Sequence, residues 1–278
     1  MRSPPMDWGM RNRIGRMFPA RSGNSVMLAV DHGYFMGPTR HLENPAATIA
    51  PLIPHCDALA LTRGVLRTSV PPGADVPIVL RVSGGVTILQ EDLSHETLTT
   101  PMHEAVRLNA CAVALSVFVG SPHEHETLAS LGKLVSEGEE AGIPVMAITA
   151  VGKELEKRDA RYLALACRVS AELGAHLVKT YYCDGFSKVV EACPVPLVVA
   201  GGPKLDSEEA ALRLAHSAMA EGAHGIDMGR NIWQSPHPVA MLQALRAIVH
   251  DRASVAEALE IFEGQKLATP AARAAALA

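Results

Sequence analysis

A chain of 278 residues, 48% hydrophobic but only 4% aromatic, has the material for one large aliphatic core. Its 25 basic residues are outnumbered by 29 acidic ones, for a formal net charge of −4, which argues against nucleic acid as a main partner. Five cysteines (Cys56, Cys111, Cys167, Cys183 and Cys193) form no CxxC pair and are odd in number, so they read as reduced, mostly buried thiols.

No run approaches the roughly 18 consecutive apolar residues of a membrane span. The first residues carry Arg2, Arg11, Arg13 and Arg16 but lack the apolar stretch of a signal peptide, so a cytoplasmic protein is expected.

In chain order, residues 1–22 read as an amphipathic lead-in anchored by Trp8, Met10, Ile14, Met17 and Phe18. Short aliphatic runs then recur at 26–31, 57–61, 78–82 and 112–119, and again at 143–149, 175–180, 195–201 and 224–228. Most are continuous rather than alternating, the pattern of parallel strands covered on both faces. Pro71-Pro72-Gly73 marks a tight loop, so the second helix is expected to be vestigial.

The segments between the runs have helical spacing. Over 159–174 the apolar stripe is Tyr162, Leu165, Ala166, Val169 and Leu173, with Gly174 at the stop. Over 206–221 it is Ala211, Leu214, Ala215, Ala218 and Met219, with Asp206 as the expected cap and Glu209 three residues on. A further helix is expected over 254–267. Residues 269–278 are Ala-rich with no cap and are expected to fray.

Eight strand–helix units close into a barrel or lie in an open doubly wound sheet. Open sheets of this class usually show a glycine-rich turn after the first strand. Here the first run ends in Asp31-His32-Gly33 instead. The expected fold is therefore α/β, a single-domain (β/α)8 TIM barrel over 23–268 that includes the C-terminal helix.

Such barrels carry their reactive groups at the C-terminal ends of the strands. Those ends supply Asp31 and His32, Thr62 and Arg63, Arg81, Gly120 and Ser121, Thr149 with Lys153, Lys179, Gly201 and Gly202, and Gly229 and Arg230. Lys179 stands inside a strand, where alternation puts it on one face with Leu177 and Ala175. Apolar surroundings and neighbouring cations disfavour an ammonium, and a neutral amine adds to a carbonyl to form a Schiff base. The bland alternative is a lysine whose ammonium reaches water.

The seventh and eighth loops are the usual phosphate site of these barrels. Gly201, Gly202 and Gly229 let backbone N–H groups approach an anion, and Arg230 adds a charge-assisted contact. Asp31 and His32 form a candidate acid/base or substrate-orienting pair, with His32 titrating near neutrality. Asp31 also serves, in the alternative, as an ion-pair partner of Lys179 or Arg81. His123 and His125 form an HxH that suits zinc, but Pro122 before it and the helical pattern after it read better as a helix start. Cys183, four residues after Lys179, reads as an inert thiol.

Several stretches resemble the DhnA/DeoC-type class I aldolase superfamily: Val-Met-Leu-Ala-Val-Asp-His-Gly at 26–33, Val-Lys-Thr-Tyr-Tyr at 178–182, Ala-Gly-Gly-Pro-Lys-Leu at 200–205 and Gly-Ile-Asp-Met-Gly-Arg-Asn-Ile at 225–232. The resemblance extends from Asp7 to the helix near Phe262. It implies that Lys179 is the Schiff-base lysine, that Asp31 and His32 lie beside the reacting carbons, and that Gly201, Gly202, Gly229 and Arg230 hold a phosphate. It also implies a ring-built homo-oligomer, a decamer.

Within the superfamily, the fructose-bisphosphate aldolase branch carries a tyrosine acid/base at the end of strand five. This chain has Ala147-Ile148-Thr149-Ala150-Val151-Gly152-Lys153 there, which is similar to a thiolase branch instead. That branch implies cleavage of a phosphorylated 2,4-dione by coenzyme A as co-substrate, giving acetyl-CoA and dihydroxyacetone phosphate in the breakdown of the quorum-sensing signal autoinducer-2. No metal or permanently bound cofactor is expected. The chain begins later than members of that branch, so contacts of their N-terminal extension are not carried over. The alternatives are a class I aldolase acting on another phosphorylated ketone or sugar such as fructose 1,6-bisphosphate, a zinc-dependent aldolase using His32, and a non-catalytic phospho-ligand sensor on a barrel scaffold.

Overall fold

The computed structural model describes residues 7–150 and 159–268; Lys153 and the expected tail at 269–278 lie outside them. All eight aliphatic runs form strands: β1 (Ser25–Ala29), β2 (Ala58–Thr62), β3 (Ile78–Arg81), β4 (Ala112–Val117), β5 (Val145–Thr149), β6 (Leu177–Tyr181), β7 (Leu197–Ala200) and β8 (Gly225–Met228). Each pairs in parallel with the next, and β8 returns to β1 to close the barrel. At the closure a Cβ on Gly225 would lie 2.1 Å from the Ser25 carbonyl oxygen, so only glycine lets the two backbones pair there.

The strands bury both faces, and each face has its own core. Inside the barrel Met27, Ala58, Val79, Met146, Leu177 and Val198 interdigitate. The helix Trp8–Met17 closes the lower end of this interior, with Met17 and Phe18 packed into it. Asp7 caps that helix by accepting from the Met10 N–H. Trp8, expected as an anchor, is 72% exposed, because the helix turns Met10 and Met17 inward and leaves Trp8 on the opposite side.

The outer core lies between the strands and the helices. The helix Ala160–Glu172 is capped by Asp159, which accepts from the Tyr162 N–H, and buries Leu163, Ala166, Cys167 and Ser170. Leu165 is 55% exposed, so the apolar stripe read from the sequence is rotated away from the true face. Apolar side chains on both flanks allowed two stripes, and packing selected the narrower one. The helix Glu208–Ala220 buries Ala211, Ala215 and Ala218 as expected, but its cap is Ser207 rather than Asp206. The second helix, Arg63–Ser69, has seven residues and a Thr62 cap. The C-terminal helix Val255–Ala268 packs Ala258 and Phe262 into the outer core. Ala175 also joins the outer core rather than the face of Leu177, because it precedes β6 and lies outside the strand's alternation. No described helix is long and apolar enough to cross a membrane.

Two features of this frame place polar groups at the barrel mouth. Alternation from interior residues low in the strands carries Arg81 above Val79, Ser116 above Ala114 and Lys179 above Leu177 to the inner face of the upper barrel. After β3, a short antiparallel pair, Ser83–Gly84 with Thr97–Leu98, holds the loop 85–96 over the mouth and brings in Glu96. The sequence reading contained no such pair.

Candidate active site

Lys179 rises from β6 into a cavity of about 160 Å³ at the C-terminal end of the barrel. Its Nζ lies 2.8 Å from Oδ2 of Asp227, an interior residue of β8 whose side chain is fully buried. The contact is an ion pair whose angle departs from a hydrogen bond, so neither Asp227 oxygen has an aligned donor among the described residues. Burial pushes the Asp227 carboxyl above its ordinary value, and the nearby ammonium only partly offsets this. A buried carboxylate 2.8 Å from the amine is placed to accept a proton from it.

Asp31 and His32 line the same cavity from the end of β1. Burial acts to raise the Asp31 carboxyl, but the charges of Lys179 and Arg81 lead the effects that outweigh it and hold the group below its usual value, so Asp31 is an anion. Its closest cationic nitrogen is Arg81 Nη1 at 3.5 Å, while His32 Nδ1 stands 3.8 Å away. Of the two ion-pair partners that the alternative reading gave Asp31, Arg81 is within reach, and the amine of Lys179 is paired with Asp227.

His32 differs from the expectation of a group titrating near neutrality. Burial lowers it to about 4, with Asp31 opposing and the cations of Arg230, Lys179 and Arg81 adding to the fall. Its ring stands edge-on to Trp233, with centroids 5.4 Å apart. At neutral pH it is an uncharged imidazole.

Arg81 is the centre of a buried network that single residues did not announce. It donates to both oxygens of Glu96, at 2.9 and 3.1 Å, and to the hydroxyls of Ser116 and Tyr34. Tyr34 in turn donates to Glu96 at 2.6 Å, as does Ser83. Glu96, 4% exposed, is thereby held by three donors. Asp227, Glu96, Tyr34 and Ser116 are cavity residues that strand-end reasoning missed. For Asp227 a signal existed: a carboxylate inside an aliphatic strand needs a partner to be buried.

Gly201, Gly202, Gly229 and Arg230 line the same cavity from the ends of β7 and β8. Gly202 has φ of +67°, and a Cβ on Gly229 would fall 2.4 Å from the Ala29 carbonyl oxygen and 2.5 Å from His32 Cε1. Asn231 fixes the two loops to each other, donating to the Gly201 carbonyl at 2.9 Å and accepting from the Leu205 N–H at 2.8 Å. The result is a rigid, side-chain-free wall with one guanidinium beside it, suited to an anion.

The remaining strand-end residues do other work. Thr149 donates to the Thr180 hydroxyl at 2.9 Å and lines the cavity. Arg63 turns to Glu104, and Ser121 closes a turn on the Phe118 carbonyl. His123 stands at the N-terminal boundary of the helix Glu124–Ala141 and its ring stacks on His95 at 4.0 Å, while His125 is exposed. Burial pushes the Cys183 thiol up, with Glu221, Asp159 and Asp184 acting in the same sense.

Comparison with known proteins bears on this geometry. A family model described as DeoC/LacD family aldolase matches residues 25–235. The chain is 50% identical over 262 residues to a 3-hydroxy-5-phosphonooxypentane-2,4-dione thiolase of Photorhabdus laumondii, covering 94% of this chain and 89% of that one. The thiolase of the same name from Escherichia coli strain K12 gives the same identity and coverage. Among solved structures, an archaeal fructose 1,6-bisphosphate aldolase is similar with a TM-score of 0.78 and 28% identity, over 87% of this chain and 99% of that one. A structure of an archaeal aldolase with its catalytic lysine covalently bound to the carbinolamine intermediate of the substrate matches equally well, at a TM-score of 0.78.

Proposed function

Because the chain belongs to the DeoC/LacD family of aldolases, we propose that it is a Schiff-base thiolase. It cleaves 3-hydroxy-5-phosphonooxypentane-2,4-dione with coenzyme A to acetyl-CoA and dihydroxyacetone phosphate, a step in autoinducer-2 breakdown. The observation that carries this reading is the buried Lys179 amine at 2.8 Å from Asp227, inside a cavity that Gly201, Gly202, Gly229 and Arg230 also line.

The phosphate rests on the amides of Gly201, Gly202 and Gly229 and on Arg230, which fixes the nearer ketone against Lys179. Asp227 takes the ammonium proton, and the freed amine adds to that ketone and expels water, leaving an iminium. Asp31, an anion in the same cavity, stabilises the positive charge as it forms. The thiolate of coenzyme A attacks the distal acetyl carbonyl. The bond between that carbonyl carbon and the hydroxyl-bearing carbon then breaks, and its electron pair enters the iminium to give an enamine. The proton lost by the thiol is balanced by the proton gained at the enamine carbon, and water regenerates the amine. His32, uncharged at neutral pH, serves as a hydrogen-bonding group that orients a substrate oxygen.

The absence of a tyrosine from 147–150, at the tip of β5, supports the thiolase reading over aldol cleavage of a sugar bisphosphate. Cytoplasmic location and assembly into a ring-built homo-oligomer, a decamer, belong to the same reading. Assembly is supported by the large apolar side chains of Trp8 and Leu165 that face outward. Product analysis tests the reaction. Acetyl-CoA and dihydroxyacetone phosphate are expected in equal amounts and only with the thiol present; cleavage at the same rate without it makes the enzyme an aldolase.

A further inference from the structure

A second cleft, of about 350 Å³, lies beside the reaction cavity, and the two share Tyr34 and Arg81 as a common wall. Its floor is made of small residues, with Gly64, Gly84 and Gly85 among them, and the Tyr34 ring packs against Gly84, whose Cβ would meet Tyr34 Cδ2 at 3.1 Å. Thr62, Ser83 and Thr100 add polar groups. Its charge comes from Arg63 and Arg67, with side chains 41% and 54% exposed. Both guanidinium groups are held by a single carboxylate, Glu104, which leaves this trio one positive charge in excess and, among the described residues, most of its roughly ten N–H donors without an acceptor in the cleft.

From these observations we propose that the Arg63–Arg67 cleft binds the phosphate-bearing nucleotide end of the thiol co-substrate. This rests on the thiolase reading above. The reaction cavity, at about 160 Å³, has room for the phosphorylated dione but not for a nucleotide as well. The keto-phosphate's anion is placed on the loops after β7 and β8, so its acetyl end points across the barrel, away from them. The cleft lies after β2 and β3, on that far side. A thiol arm passing over Tyr34 therefore arrives at the carbonyl it must attack, while its diphosphate stays outside on two arginine forks. Guanidinium groups are the side chains best matched to phosphate oxygens, which they bind bidentately. Glu104 positions both forks in advance.

The test compares coenzyme A with pantetheine, which carries the same thiol without phosphates, in the wild type and in Arg63→Ala/Arg67→Ala. The double variant is expected to lose at least about tenfold in kcat/KM for coenzyme A, while the loss with pantetheine stays within about twofold. Arg63→Lys/Arg67→Lys, which keeps the charge but not the fork, is expected to fall between. An equal loss with both thiols, or unchanged coenzyme A kinetics, overturns the assignment and leaves the thiolase reading standing. A wild type that forms no thioester with either thiol removes both.

Discussion

Lys179 and Asp227 meet across the barrel interior from strands that are not neighbours: β7 runs between them, yet Nζ and Oδ2 are 2.8 Å apart. Barrel geometry brings side chains from alternate strands into one layer, so a base and an amine need no sequence proximity to form a pair. The pair is buried, and Asp227 has no aligned hydrogen bond among the described residues to share the load.

Asp227→Asn isolates the role of that carboxylate. Removing one partner of a buried ion pair typically costs about 3–5 kcal/mol, because the other charge remains in the interior. Urea unfolding is expected to show a loss of that order, and partial recovery in Lys179→Met/Asp227→Asn. With the acceptor of the ammonium proton gone, the rate of hydride-trapped imine formation is expected to fall by about 10² or more. An unchanged trapping rate assigns the deprotonation to another group.

His32 gives a stability change with a defined sign. Its proton affinity is depressed to about 4 in the folded chain from an ordinary 6.5. Between those values the unfolded chain binds the proton and the folded chain does not, so stability is complete above the ordinary value and is lost as pH falls toward 4. The loss is on the order of 3 kcal/mol. Thermal midpoints of wild type and His32→Asn over this window are expected to converge as the pH drops. Parallel curves contradict a buried neutral imidazole.

Gly229→Ala tests the phosphate wall. The new methyl group would stand 2.4 Å from the Ala29 carbonyl oxygen and 2.5 Å from His32, both fixed by packing. Overpacking of this kind costs about 1–3 kcal/mol. The KM for the keto-phosphate is expected to rise at least tenfold, by about the 1.4 kcal/mol that a factor of ten represents. Isothermal titration with inorganic phosphate checks the same site independently, and undiminished affinity moves the anion elsewhere.

The barrel was legible because eight aliphatic runs at regular spacing admit few other packings. Asp31 and the paired glycine loops were legible because each stands at a strand end, and Lys179 because it is a lone cation in an aliphatic run. Asp227 was not, since it sits within β8 and a strand-end search passes over it. Glu96 and Tyr34 reach the cavity from loops, and only the antiparallel pair after β3 brings Glu96 to Arg81. The rotation of the Ala160–Glu172 face has a similar cause: Leu165 and Leu163 are equally apolar, and neighbouring helices decide which is buried. The value of His32 follows from burial against Trp233, which no local pattern announces.

Borohydride reduction in the presence of the keto-phosphate, followed by peptide mass mapping, addresses the proposed chemistry directly. A secondary amine adduct on the peptide containing Lys179, absent from Lys179→Arg because guanidinium stays protonated, is the expected result. A wild-type protein that turns over substrate while Lys179 remains unmodified contradicts it.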